Sequence, residues 1–382
     1  MIDLAGAEEV FAASIDCTVG LEEEFAVLDA SSLDLVPRFE ELRDAAVAED
    51  AVLASSIAGE LISSEIEIRS GRGDDFHNAL RRQRDVRNRL FALAEARGVA
   101  LGATGTHPWA DYREQRNIDT EHYRRVVDGL QYVARRNNTF SLHVHVGAHD
   151  VDRAVRACDR LRPVLPMLLS ISANSPYLDA RDSGLHSARS QAFTKSFPRC
   201  GIPDAYGSWA SFRDYVDFLI RTHSIVEYTQ VWWSIRPHLS FGTVEVRICD
   251  AQSTALESEA LTGLIVACVA QALRDHDEGV PFTDPPRRLI EECLWRAIRY
   301  GQDGNLVDLD RAEEYPAAAA AERLLAWTAP VRAELGIEPA LPVLNGAQRQ
   351  HRAIDAGASM QEVYAAAVRE TSQTYVQEAE TA

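Results

Sequence analysis

Four short stretches of this chain alternate apolar and charged positions with a period of two. They are Gly20-Leu-Glu-Glu-Glu-Phe25, Ser64-Glu-Ile-Glu-Ile-Arg69, Leu142-His-Val-His-Val-Gly147 and Thr243-Val-Glu-Val-Arg-Ile248. A strand sends successive side chains to opposite faces. Glu22 therefore pairs with Glu24, Glu65 with Glu67, His143 with His145, and Glu245 with Arg247. One such strand would be an ordinary solvated face. Four of them, spread over more than two hundred positions, predict a polar cavity floored by a sheet.

Around these strands the spacing turns helical. Residues 15–28 read as a strand turning near Asp29–Asp34, 38–50 as a helix, and 60–70 as a second strand ended by Ser70-Gly-Arg-Gly73. Asp74 or Asp75 would cap a long arginine-rich helix running to about Arg97, where Gly98 stops it. A strand over 99–104 leads into Gly105-Thr-His-Pro-Trp109, and a helix over 119–135 precedes the His-x-His strand. Residues 150–173 predict a helix broken or kinked at Pro163 and Pro166. The Ser-, Gly-, Pro- and Arg-rich 174–208 reads as a long functional loop region. Part of 204–222 is helical, and 229–250 gives two strands joined at Pro237–Gly242. Helices dominate from Glu257 onward, interrupted by Pro281–Pro286 and Gly336–Pro342. The expected fold is α+β: a mainly antiparallel sheet flanked by helices, with a helical C-terminal third. The whole of 1–382 is expected to be one catalytic domain.

The 382 residues are 46% hydrophobic and 25% charged, enough for a large core. With 39 basic and 58 acidic residues the net charge is −19, which argues against extended nucleic-acid contact. Lys195 is the only lysine, so any cationic phosphate contact falls to arginine, which binds bidentately. Six scattered cysteines without a C-x-x-C pair argue against a zinc cluster or a disulfide scaffold. No leader pattern is evident, and the longest apolar run, around Leu261–Ala272, is too short for a bilayer. The expected setting is the reducing cytoplasm, with no membrane partner.

Glu22, Glu24, Glu67 and Glu245 offer hard oxygen ligands, which select Mg²⁺ or Mn²⁺. Such a cluster is costly to bury without a cation, because like charges and desolvation act together. Taken alone, Glu22–Glu24 would be a solvated face balanced by arginines. His143 and His145 could ligate metal or donate to phosphate. Glu245 and Arg247 by themselves would be a cross-strand ion pair. Arg236 and Arg189 are further anion-binding candidates, and Cys249 is expected to point to the core. No P-loop and no Rossmann glycine motif is present. Together, hard-metal carboxylates, His-x-His and arginines around a sheet describe phosphoryl transfer.

These motifs resemble a known family. Gly20-Leu-Glu-Glu-Glu-Phe25, Leu142-His-Val-His-Val-Gly147, Ser172-Ala-Asn-Ser-Pro-Tyr177 with Arg181-Asp-Ser-Gly184, and Trp232-Trp-Ser-Ile-Arg-Pro-His238 leading into Phe241-Gly-Thr-Val-Glu-Val-Arg-Ile-Cys-Asp250 are similar to the type 2 glutamate–cysteine ligases, or carboxylate–amine ligases. The likeness runs from about residue 15 to about 375. It implies a glutamine-synthetase-like sheet, ATP and divalent metal (Mg²⁺ or Mn²⁺). It also implies phosphorylation of a small acid, usually glutamate, followed by attack of an amine such as cysteine. Position by position, Glu22, Glu24, Glu67, His143 and Glu245 match the metal-binding residues. Arg247 matches the guanidinium facing the transferring phosphoryl group. Arg236 and His145 fall on the phosphate or substrate side, and Arg189 stays a cofactor-binding candidate from its residue type. The resemblance suggests a homodimer. Glu65, Arg69, Asn137-Asn-Thr-Phe140 and Lys195 depart from the family pattern, which bears on the choice of amine and acid. The alternatives are a metal-dependent hydrolase built on His143 and His145, or a non-catalytic binding relative.

Overall fold

The computed structural model describes Leu4 and residues 6–376. A mixed-length sheet is built from β1 (Val19–Asp29), β2 (Ile57–Ala58), β3 (Glu65–Arg69), β4 (Val99–Gly102), β5 (Ser141–Gly147), β6 (Ile235–His238) and β7 (Thr243–Asp250). Its order is β6-β7-β5-β1-β3-β2, with β4 on the last residues of β1, and every pairing is antiparallel. The α+β expectation is met. Register brings the charged positions side by side: Glu22 lies opposite both Arg69 and His143, Glu24 opposite Glu67, and Glu245 opposite both His145 and Arg236.

The reverse face carries the alternate residues. Leu21, Val144, Val146, Val244 and Val246 are buried in the main core. Helices α1 (Phe76–Ala96), α2 (Glu121–Leu130), α3 (Val151–Leu161), α4 (Leu165–Ser172), α5 (Ala255–Asp277) and α6 (Arg287–Tyr300) follow in chain order, and α1, α3 and α5 contribute to the layer behind the sheet. Asp75 caps α1 by accepting from the Asn78 N–H, and Gly98, at φ +66°, takes the left-handed turn beyond it. Helix α5 is long and apolar enough to cross a membrane by length and composition, yet nearly all of it is packed inside the protein. Glu23, which alternation sends to the dry face, accepts from Gln83, Arg87 and Ser258 there, and Arg87 also pairs with Glu259 of α5. A buried charge held by this many donors ties β1 to two helices.

Several expectations need adjusting. The second strand covers Glu65–Arg69 rather than 60–70, because 60–64 turn and the Ser63 N–H bonds to the Arg116 carbonyl. The 119–135 helix is split at Gln131, whose φ of +51° ends the helical ladder. The helical C-terminal block contains a hairpin, Asn305–Asp308 with Glu313–Pro316, whose Leu306 and Tyr315 join the core. Pro163 does mark a break: residues Arg162–Val164 form a single 3₁₀ turn between α3 and α4. All six cysteines are unpaired, and five are buried.

β7 carries one irregularity of consequence. Val246 pairs with Val144 but Cys249 pairs with Leu142, so three steps on β7 face two on β5. Such a bulge reverses the parity beyond it. Strict alternation would put Cys249 beside Glu245 and Arg247; the bulge sends it into the core instead, as expected of it.

Candidate functional site

The wet face of the sheet floors a cavity of about 490 Å³, and Glu22, Glu24, Glu67, His143, His145, Arg189, Arg236, Glu245 and Arg247 all line it. These nine, the metal, phosphate and substrate candidates of the sequence, are therefore brought to one place. Glu22 is the hub. Its carboxylate lies 3.2 Å from His143 Nδ1 and 3.4 Å from His145 Nε2. Glu24 accepts from the Ser141 N–H at 2.5 Å and from its hydroxyl at 2.6 Å, and that hydroxyl is 2.8 Å from His143 Nε2. His145 Nδ1 is 3.0 Å from the Thr243 hydroxyl. Ser141 and Thr243 share the parity of the motif residues on their strands, which is the signal that would have found them.

Glu245 is fully buried between two guanidinium groups. Arg236 Nε donates to it at 2.5 Å and Nη2 at 3.2 Å, and Arg247 Nη1 donates to its other side. Arg236 Nη1 is used on the Thr229 and Val231 carbonyls, at 2.8 and 2.6 Å. Four of its five N–H donors are thus used on protein acceptors. Arg189 donates to the Arg247 and Ile248 carbonyls, at 3.2 Å each, and so pins the bulge that aims Arg247. Behind it, Asp250 accepts from Asn174, Ser175 and Ser187; Ser187 caps the short helix Ala188–Thr194 that carries Arg189, so the 174–208 segment is not loop throughout. Arg189 Nε, Arg247 Nε and Glu65 Oε2 are buried without a hydrogen-bond partner among the described residues. A folded protein leaves few such groups bare without a ligand to meet them.

Electrostatics divide the cavity. Burial alone would raise Glu22 and Glu245. For Glu22 the His145 charge and hydrogen bonds from both histidines outweigh burial; for Glu245 Arg236 and Arg247 do, and both carboxyls sit well below the usual range. At the other end burial wins. Glu65 and Glu67 are pushed well above the usual range by burial and by their neighbours, and Glu60 is pushed up to about 7 by burial and Glu24. Glu60 was not legible in the sequence, because it sits in the turn before β3 where no alternation marks it.

These donors fit a hard divalent cation. Three sets place their ligand atoms within 4.8 Å of one another: Glu22, Glu67 and His143; Glu22, His145 and Glu245; Glu24, Glu60 and Glu67. Each is dominated by carboxylate, as Mg²⁺ or Mn²⁺ prefers. His143 and His145 fall in different sets, which does not suit a two-histidine hydrolase centre.

A second cavity of about 330 Å³ opens beyond Glu22 and His145. Val19, Leu21, Gly71 and Phe241 give it a largely apolar wall, and Phe241 is 55% exposed. The two cavities share Glu22, Arg69, His145, Ser240 and Phe241.

The sequence model of glutamate–cysteine ligase family 2 matches residues 18–379. A protein provisionally named glutamate–cysteine ligase 2 from Solibacter usitatus is 36% identical over 361 residues, covering 93% of each chain. One from Sorangium cellulosum is 38% identical over 299 residues, covering 78% of this chain and 79% of its own. Among solved structures, a glutamate–cysteine ligase from Francisella tularensis in complex with AMP superposes with a TM-score of 0.68 at 12% identity. It covers 95% of this chain and 90% of that one. A bifunctional glutathione synthetase from Pasteurella multocida gives the same TM-score and identity over 97% of this chain and 54% of its own. At that identity the likeness speaks for the fold.

Proposed function

The chain belongs to glutamate–cysteine ligase family 2 and is an ATP-dependent carbon–nitrogen ligase; we propose that it joins glutamate to a small amine through an acyl phosphate. The observation that carries this reading is the convergence of three carboxylate-rich sets on one sheet face beside Arg247, whose buried Nε has no hydrogen-bond partner among the described residues. The apolar cavity suits a purine against Phe241, with the phosphates directed across Glu22 and His145 toward Arg247. The larger cavity then takes the acid and the amine.

Glu22, Glu24, Glu60, Glu67, Glu245, His143 and His145 would hold divalent metal. When bound, it would neutralise phosphate charge and offset the crowded carboxylates. The chain's own part is positional. Arg236 fixes Glu245, Glu245 and the Arg189-pinned bulge fix Arg247, and Arg247 offers its guanidinium to the phosphoryl group as it moves. A carboxylate oxygen of the acid attacks the γ-phosphorus and ADP leaves. The amine nitrogen then attacks the acyl carbon, the carbon–oxygen bond to phosphate breaks, and the nitrogen's proton is lost to solvent or phosphate.

ADP release, followed with glutamate alone, amine alone and both together, tests the proposal. Release that requires glutamate, with a glutamyl amide formed alongside, supports it. Nucleotide turnover indifferent to any acid and amine sinks it.

A further inference from the structure

Resting on the ligase reading above, we propose that helix α2 is a lid over the acid–amine end of the cavity, latched by His122 and Glu227. The helix forms one rim: His122, Tyr123 and Val126 face the cavity beside Glu60 and Glu65. The opposing rim is the loop carrying Glu227, Thr229 and Gln230. His122 Nδ1 meets Glu227 Oε1 at 2.9 Å, so the pair spans the mouth from one rim to the other.

α2 is built to move. Val126 is its one buried residue among the ten, in a small satellite cluster with Leu61 and Ala134, and Tyr123, which packs against a second core cluster and donates its hydroxyl to the Gly59 carbonyl, is the further tie to the body. Few buried apolar contacts mark segments that open at low free energy. Both ends are sharply defined. Thr120 caps the start by accepting from the Tyr123 N–H, and Gln131 at φ +51°, ψ −120° breaks the end. A non-glycine residue there is strained, and a hinge can release that strain. Beyond the hinge the chain is tied down again, with the Arg136 guanidinium over the Tyr112 ring at 4.3 Å and 3.6 Å from Asp179.

The chemistry supplies the reason for a lid. An acyl phosphate open to solvent is lost when a water oxygen bonds to the acyl carbon and the bond to phosphate breaks, giving back free acid and phosphate. Each such event spends an ATP without forming amide. Closing the rims over the amine excludes that water.

The test compares wild type with Glu227→Gln and His122→Asn, supplied with glutamate, cysteine, Mg²⁺ and ATP, counting ADP and glutamyl amide together. Both side chains are about half exposed, so the variants keep the fold. Wild type is expected to release about one ADP per amide, and the variants at least about three, as water reaches the intermediate. Amide hydrogen exchange over 121–135 gives a second readout: substrates slow it in wild type and fail to do so in the variants. Variants that keep the wild-type ADP-to-amide ratio and the wild-type protection overturn the lid while the ligase stands. Wild type without glutamate-dependent ADP release overturns the ligase reading and the lid with it.

Discussion

Two carboxylates on the same sheet face answer opposite demands. Glu245 is the counter-ion of two buried guanidinium groups, whereas Glu65 is crowded by Glu24, Glu60 and Glu67 with one oxygen unpartnered. Glu245→Gln should therefore lose roughly 3 kcal/mol of stability, because it strands buried positive charge. Glu65→Gln in metal-free protein should gain about 1 kcal/mol at pH 8. Its folded proton affinity is raised, so the native state binds the extra proton and the wild-type penalty grows as pH rises above the ordinary carboxyl range. The gain should fade toward pH 4.5, the ordinary glutamate value. Urea unfolding of both variants across pH checks the pair; matching signs at pH 8 would refute the division of the cavity. For Arg247, lysine keeps the charge but not the planar, two-point contact. Arg247→Lys should lower turnover by about two to three orders of magnitude while ATP affinity falls much less. Equal losses in both would make Arg247 a ground-state binder. At this scale the sequence was readable wherever period two applied, which is why Glu22, Glu24, Glu67, His143, His145 and Glu245 all reach the cavity. It was silent on Glu60 in its turn, and it named Arg236 without showing its commitment to Glu245 and two loop carbonyls, which depends on how the chain folds back.

Among the connecting elements, the segment Gly105-Thr-His-Pro-Trp109 shows a loop held by one neutral imidazole. His107 Nε2 lies 2.8 Å from the Leu33 carbonyl, while Nδ1 accepts from the Trp109 and Ala110 N–H groups. Its ring is fully buried against Trp109 and Tyr364. Burial lowers its pKa to about 4, outweighing the Leu33 hydrogen bond. A depressed histidine stabilises the fold above its unfolded pKa near 6.5 and loses that contribution as pH falls toward 4. Wild type should accordingly lose about 2 kcal/mol more than His107→Gln between pH 7 and pH 5, measured by urea unfolding. Parallel pH profiles would remove His107 from that role. The strands and the long helices were legible because alternation and capping are local signals, as at Asp75 and Gly98. The bulge between Val246 and Cys249 and the break at Gln131 were not, since both are decided by what the backbone meets across the fold. The hairpin at 305–316 was missed for a related reason: its strands of four residues each are too short to show a period.

Taken whole, the molecule is a charged sheet face backed by an apolar one, with Glu23, Arg87 and Glu259 binding sheet to helices through the core. The acidic excess does not preclude a phosphate site, because Arg189, Arg236 and Arg247 gather at one end of the cavity while the raised carboxyls gather at the other. On that face, in the function proposed above, phosphorylation activates the acid. Glutamate labelled with oxygen-18 in its γ-carboxylate, turned over with ATP, Mg²⁺ and an amine, tests it most directly. An acyl phosphate must leave one labelled oxygen in the inorganic phosphate released, so that transfer, in step with amide formation, is the expected result. Amide formed with unlabelled phosphate would contradict it.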